Sequence, residues 1–193
     1  MKKLTLALAA ITILFFAFKP AATVYKVDTA ASKIVWVGKK VTGQHTGEIK
    51  LASGTLSADG KKLVAGNFLI DMTTMTCTDL DATSGGKLLG HLNSDDFFST
   101  AKNKTAQFKI TNVSAESAGS VNITGDLTIK GITNKITFPA SVQQKGGVIV
   151  AVAKGVKVDR TKFDIKYGSK SFFASIGDKA IYDEFELKVT LKF

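Results

Sequence analysis

The sequence has one cysteine, Cys77, so no disulfide can form within the chain and stability has to come from a packed core. A lone thiol of this kind is expected as a buried, hydrophobic side chain. Histidine is almost as scarce. His45 and His91 are the only two, no H-x-x-x-H pair occurs, and a catalytic zinc site usually takes two or three histidines with a carboxylate. No metal site is therefore expected; one would require both histidines to converge with Asp95 or Asp96. The only arginine is Arg160, and no basic run is interleaved with aromatics, which argues against nucleic-acid binding. There is no G-x-S-x-G elbow, no phosphate-binding glycine loop and no basic partner beside Cys77. These absences lead to the expectation of a non-enzyme without a cofactor. Two prolines and no Ser/Gly-rich tract leave no linker. A chain of 193 residues, 45% of them hydrophobic, is then expected to build one domain around one core.

What is present begins with the N-terminus. Met1-Lys2-Lys3 is a charged start, Leu4 to Phe18 is an uncharged run rich in Leu, Ala, Ile and Phe, and small residues follow at Ala21 and Ala22. This is the order of a secretory signal peptide, and the run is shorter than the roughly 20 apolar residues of a spanning helix. We read residues 1–22 as the signal and 23–193 as the mature domain, located in the periplasm or secreted. Removing Lys2, Lys3 and Lys19 leaves 23 basic and 16 acidic residues, a net charge of +7. That excess favours transient contact with an anionic membrane surface, although scattered lysines on solvated strand faces account for most of it.

Alternation with a period of two dominates the rest. Val121, Ile123, Leu127 and Ile129 share one face, and Phe185, Leu187, Val189, Leu191 and Phe193 share another. Shorter patterns run through Phe68-Ile70-Met72, Ala106-Phe108-Ile110 and Ile136-Phe138-Ala140-Val142. Such patterns mark half-buried antiparallel strands. Turn signals at Ala58-Asp59-Gly60, Ser117-Ala118-Gly119, Gly131-Ile132-Thr133-Asn134 and Lys145-Gly146-Gly147 separate about eight of them. The strands are expected to begin near Ser32, Thr46, Lys62, Thr105, Ser120, Asn134, Val148 and Tyr182. Long alternating strands in this number favour a closed barrel, which leaves no exposed edge. An outer-membrane barrel is the less favoured version, because one Trp and three Tyr cannot furnish aromatic girdles. The alternation breaks after Cys77, where a short helix is expected, with Ser84 as its N-cap and Leu88, Leu89 and Leu92 at helical spacing. It ends near Asn93-Ser94 and leads into Asp95-Asp96-Phe97-Phe98, expected to clasp the helix against the barrel. A long loop is expected from Arg160 to Asp183 over one barrel end.

Taken in order, these segments resemble the YceI-like proteins of bacteria. The resemblance rests on Tyr25-Lys26-Val27-Asp28, Ser32 with Trp36, Gly43-Gln44-His45-Thr46-Gly47 and Gly66-Asn67-Phe68-Leu69-Ile70-Asp71. It continues through Lys87 to Phe98, Gly125 to Thr133, Asp159 to Asp164, Ile176-Gly177-Asp178 and Asp183 to Leu187. It implies an all-β fold, an extended, antiparallel, eight-stranded, lipocalin-like β-barrel with a short helix inserted between strands. It also implies a bound isoprenoid or other long-chain lipid, quinone-like or polyprenyl, carried or sequestered in the interior. Under that reading the lining is Ile34, Trp36, Phe68, Ile70, Phe108, Ile110, Val121, Ile123, Leu127, Ile129, Phe138, Phe163, Phe172, Phe173 and Leu187. Arg160 would face the headgroup. The competing reading is an enzyme acting on a lipid or small molecule through His45 or His91, with or without a metal. Whether the protein is a homodimer stays open at this point.

Overall fold

In a computed structural model, residues 22–60, 62–117 and 120–193 are described; the signal segment therefore lies outside them, except for Ala22. The strands are β1 (Thr23–Lys26), β2 (Lys33–Lys40), β3 (Gly43–Asp59), β4 (Lys62–Asp71), β5 (Thr105–Ser117), β6 (Ser120–Ile129), β7 (Ile132–Lys145), β8 (Val148–Asp159) and β9 (Glu184–Lys192). The one α-helix among the described residues, α1, spans Ala82–Asn93 between β4 and β5. Every pairing is antiparallel, in the order β3-β2-β9-β8-β7-β6-β5-β4, and β4 pairs back onto β3 to close an eight-stranded barrel. A ninth strand absent from the sequence-based expectation, β1, pairs Thr23 to Lys26 with Ala58 to Thr55 of β3.

The 17-residue β3 organises the closure. Its first part pairs with β2, and its second part pairs with β4 on one side and β1 on the other. The edge that β4 leaves free is covered by the segment after β4, where Thr76 and Thr78 donate their amides to the Glu48 and Thr46 carbonyls. That segment runs so close to β3 that a Cβ on Gly47 would fall 1.7 Å from the Thr76 carbonyl oxygen, so only glycine fits there. Two hairpins use two-residue turns with both central residues left-handed, Lys130-Gly131 and Gly146-Gly147. Those turns match the right-handed twist of their strands.

The barrel ends differ. The β3–β4, β5–β6 and β7–β8 hairpins lie at one end, the hairpin end. At the other end lie the β2–β3 hairpin, α1 with its flanking segments, and the 160–183 loop. At about 3.3 Å per residue, the 13-residue β5 spans roughly 40 Å, which gives the interior its length.

The helix starts three residues earlier than the sequence suggests. Asp81, not Ser84, is its N-cap, and its carboxylate accepts the Thr83 and Ser84 amides at 2.9 and 3.1 Å. An ionised cap also interacts favourably with the helix dipole, which outweighs the hydroxyl of Ser84. Replacing Asp81 with alanine is expected to destabilise the protein by about 1 kcal/mol, read as a lower urea midpoint at an unchanged slope. After α1, Phe98 and Thr100 return their amides to the Leu92 and Asn93 carbonyls, and Asp95 accepts the Ser99 hydroxyl and Lys102. The segment from His91 to Phe98 is thus a hydrogen-bonded clasp, with Phe97 buried beneath it.

Candidate functional site: an apolar cavity with a polar mouth

The barrel interior is not filled. Its inward faces enclose a cavity of about 730 Å³. Eleven of the expected lining residues are on its wall: Ile34, Trp36, Phe68, Ile70, Phe108, Ile110, Ile123, Leu127, Ile129, Phe138 and Leu187. Four are not. Phe163 is 1% exposed and packs in the core beside the cavity, held by the short helical turn Arg160–Phe163. Phe172 and Phe173 are half exposed on the outer surface of the 160–183 loop. Val121 is half-buried near the hairpin end and does not reach the cavity, although its cross-strand partner Ala140 does. The wall includes residues that alternation did not single out, among them Leu56, Leu63 and Ala153, and Leu88, Leu92 and Phe98 from α1 and the clasp.

The polar lining groups all come from the elements at the helix end: Lys39, Lys40, Thr42, His45, His91, Arg160, Tyr167, Asp178, Lys179, Tyr182 and Glu184. The wall toward the hairpin end is built of aliphatic and aromatic side chains and alanines. The site is therefore an apolar pocket with a polar mouth.

Arg160, the expected headgroup residue, lines the cavity at its mouth with its donors engaged by the protein's own carbonyls. It is 3% exposed and donates Nε to the Tyr182 carbonyl at 3.1 Å, Nη1 to Ile165 at 2.7 Å and Nη2 to Ile181 at 3.0 Å. Its Nη2 also lies 3.7 Å from Asp183, and its guanidinium sits 5.6 Å from the Phe97 ring centre. Burial works against the guanidinium's charge, while Asp183 and Asp159 support it. Arginine's planar fork is thus spent on holding the 160–183 loop to the barrel.

His45 is a mouth residue whose ring is held on one side and open on the other. Its Nδ1 lies 2.9 Å from Asp79 Oδ2, and Asp79 Oδ1 accepts the Thr46 amide at 2.9 Å and the Cys77 thiol at 3.3 Å. Asp79 thereby fixes the ring and leaves Nε2 without a hydrogen-bond partner among the described residues. Burial alone would raise the Asp79 pKa, but the Thr46 amide, His45 and Cys77 outweigh it and hold the carboxyl below its ordinary value. Burial and the nearby carboxylate push the Cys77 thiol up, the opposite of what a nucleophile needs. Cys77 is half-buried rather than fully enclosed, with Gly85 of α1 packed on it. His91 has other company: its ring packs edge-on to Tyr167 and Phe97 at 4.5 and 4.9 Å, and Nε2 lies 3.9 Å from Asp96. Among the described residues, no three His, Cys, Asp or Glu side chains group to hold a metal.

Asp183 adds a pH-sensitive tie. Burial would raise its pKa, yet the Ser169 and Ser171 hydroxyls and Arg160 more than offset this and hold the carboxyl below the usual range. A lowered folded-state pKa contributes stability above the unfolded value of about 3.9, and that contribution disappears as pH falls through the folded value. Asp183→Asn is therefore expected to lower the urea midpoint at pH 7, with the gap to the parent protein closing in acid below pH ~4.

A closed eight-stranded antiparallel barrel with an apolar interior and a short helix inserted between strands defines the lipocalin-like β-barrel class. Comparison with known proteins narrows it. The YceI-like domain family matches residues 25–193, and the chain belongs to that family. Protein YceI of Escherichia coli O6:H1 is 32% identical over 152 residues, covering 76% of this chain and 75% of that protein. A UPF0312 protein of Pseudomonas fluorescens is 30% identical over 149 residues, covering 76% of each. Among solved structures, BcnA of Burkholderia cenocepacia aligns with a TM-score of 0.71 at 22% identity, covering 86% of this chain and 99% of that one. A polyisoprenoid-binding domain from Saccharophagus degradans aligns with a TM-score of 0.64 at 18% identity, covering 86% and 95%.

Proposed function

We propose that the protein binds a long-chain isoprenoid or other amphiphilic lipid, quinone-like or polyprenyl, inside the barrel, and carries or sequesters it unchanged in the periplasm or outside the cell. The observation that carries this reading is the separation of surfaces within one cavity: apolar along the barrel, polar only at the mouth. An apolar cavity of this kind excludes water and favours apolar guests. Each buried methylene contributes about 0.8 kcal/mol, so roughly ten supply a gross 8 kcal/mol, the micromolar scale, before ordering costs. The polyisoprenoid-binding domain of Saccharophagus degradans, similar in fold, supports the same ligand class. At the mouth, His45 rather than Arg160 is the headgroup partner in this reading, since its Nε2 is uncommitted.

Organic extraction of protein purified from its native source, followed by mass spectrometry, tests the proposal. The expected result is one amphiphilic lipid per chain, and stripped protein that takes up added polyprenols or quinones. Absence of both native lipid and uptake would overturn it. The His45–Asp79 pair is also what favours the second reading, acid/base chemistry on a bound lipid. Incubation with the extracted lipid separates the two: carriage returns it chemically unchanged, whereas a product that vanishes in His45→Ala establishes turnover.

A further inference from the structure

The residues that depart from the expected lining point to a second surface. Phe172 and Phe173 are 50% and 51% exposed, and Tyr167 and Tyr182 are 47% and 52% exposed while also lining the cavity. Singly exposed aromatics are ordinary, but four around one opening are not. Hydrogen bonds hold them in one rim. The Ile181 amide donates to Gly168, the Tyr182 amide to Lys39, and the Phe172 and Phe173 amides to Ser169, whose side chain is fully buried. Exposed Val41, at the tip of the β2–β3 hairpin, joins the same rim through its amide to the Ala180 carbonyl.

Cations flank these apolar groups. Lys166 lies 5.2 Å from the Phe172 ring centre and pairs with Asp164 at 2.6 Å. Lys170 is exposed four residues on, and Lys40 and Lys179 stand at the mouth together with Lys39 and the acidic Asp178 and Glu184. Apolar side chains ringed by lysines are the composition that inserts among lipid headgroups and is drawn to anionic ones.

We infer that this rim, with Phe172 and Phe173 at its outer surface, docks the cavity mouth against an anionic lipid bilayer, so that a lipid tail passes between bilayer and barrel without crossing water. The inference rests on the lipid-binding reading of the cavity. Continuity of the exposed aromatics with the mouth, and the excess of lysine over aspartate around them, select a bilayer over a second copy of the chain, which would bring like charges together.

Stripped protein mixed with phosphatidylcholine vesicles, with and without phosphatidylglycerol, provides the test by co-sedimentation and by the rate of pick-up of a fluorescent polyprenol. Expected are binding that requires phosphatidylglycerol and weakens with salt, and a pick-up rate that rises with vesicle concentration, as collision demands. Phe172→Ser combined with Phe173→Ser is expected to weaken vesicle binding and slow pick-up by about tenfold or more. Lys166→Glu with Lys170→Glu is expected to act in the same direction and to lose the salt dependence. None of these four side chains lines the cavity, so polyprenol delivered from solvent should bind all variants equally. No vesicle binding, vesicle binding unchanged in the variants, or a pick-up rate independent of vesicle concentration would overturn the inference. So would a concentration-dependent dimer that the Phe variants abolish. Failure to bind solvent-delivered polyprenol instead counts against the lipid-binding reading, because vesicle association is scored without it.

Discussion

Replacing Arg160 with methionine is expected to cost about 3–5 kcal/mol of stability, a large share of the 5–15 kcal/mol that holds a typical domain together. The expectation follows from what the guanidinium touches. Its departure leaves the Ile165, Ile181 and Tyr182 carbonyls without their donor and leaves Asp183 beside an uncharged neighbour. Unpaired buried polar groups carry their full desolvation cost, which exceeds what a hydrogen bond gains. Methionine keeps the apolar packing on Phe97, so the loss isolates the polar role. Arg160→Lys is expected to recover little, since an ammonium cannot reach three carbonyls arranged around a planar fork. Adding Asp183→Asn to Arg160→Met should cost less than the same change made alone, because the two groups are coupled. The measurement is urea denaturation of all four variants, with ligand retention followed alongside. If Arg160 were a headgroup partner instead, Arg160→Met would lower lipid affinity and leave the midpoint in place.

Much of the barrel is legible in the sequence because a half-buried strand has to alternate. Phe185, Leu187, Val189, Leu191 and Phe193 all face the cavity, as their spacing requires. What alternation cannot carry across is a bulge. Pairing of β3 with β4 shifts between Leu51 and Ser53, so the inward set changes from Ile49 and Leu51 to Leu56 and Ala58. A shift between Ala153 and Val156 does the same in β8, turning inward residues from Ala153 to Val156 and Val158. One extra residue flips every later side chain, and nothing in the composition near Ala52 announces it. Phe172 and Phe173 mislead for another reason. An aromatic pair in an irregular loop has no period to say which way it points, and apolar composition alone suggests the interior. The mouth is the least legible part of the sequence, because Asp79 meets His45 across 34 positions through a segment that covers the strand edge without being a strand. Arg160 was visible as the only arginine, but the carbonyls that surround it come from a loop that folds back over its own start.

Replacing Ala140 with tryptophan is expected to change which lipids bind, and to do so by tail length. Ala140 is buried on β7, lines the cavity, and pairs with Val121 next to the start of β6, which puts it toward the hairpin end and away from the mouth. An indole there occupies space that the far end of a long tail would fill. Excluding about four methylenes removes about 3 kcal/mol, on the order of a hundredfold in affinity. A tail short enough to stop before Ala140 keeps its contacts with the mouth and upper barrel, so its affinity should hold. Titration with polyprenols of increasing length should therefore give parallel curves for short chains and a widening gap for long ones. The fold is expected to tolerate the change, because added atoms enter empty volume rather than a packed site. A thermal midpoint at or above that of the parent protein would show this. Equal weakening of short and long chains would instead place the tail elsewhere, and an unchanged long-chain affinity would mean that the cavity does not hold the tail at all.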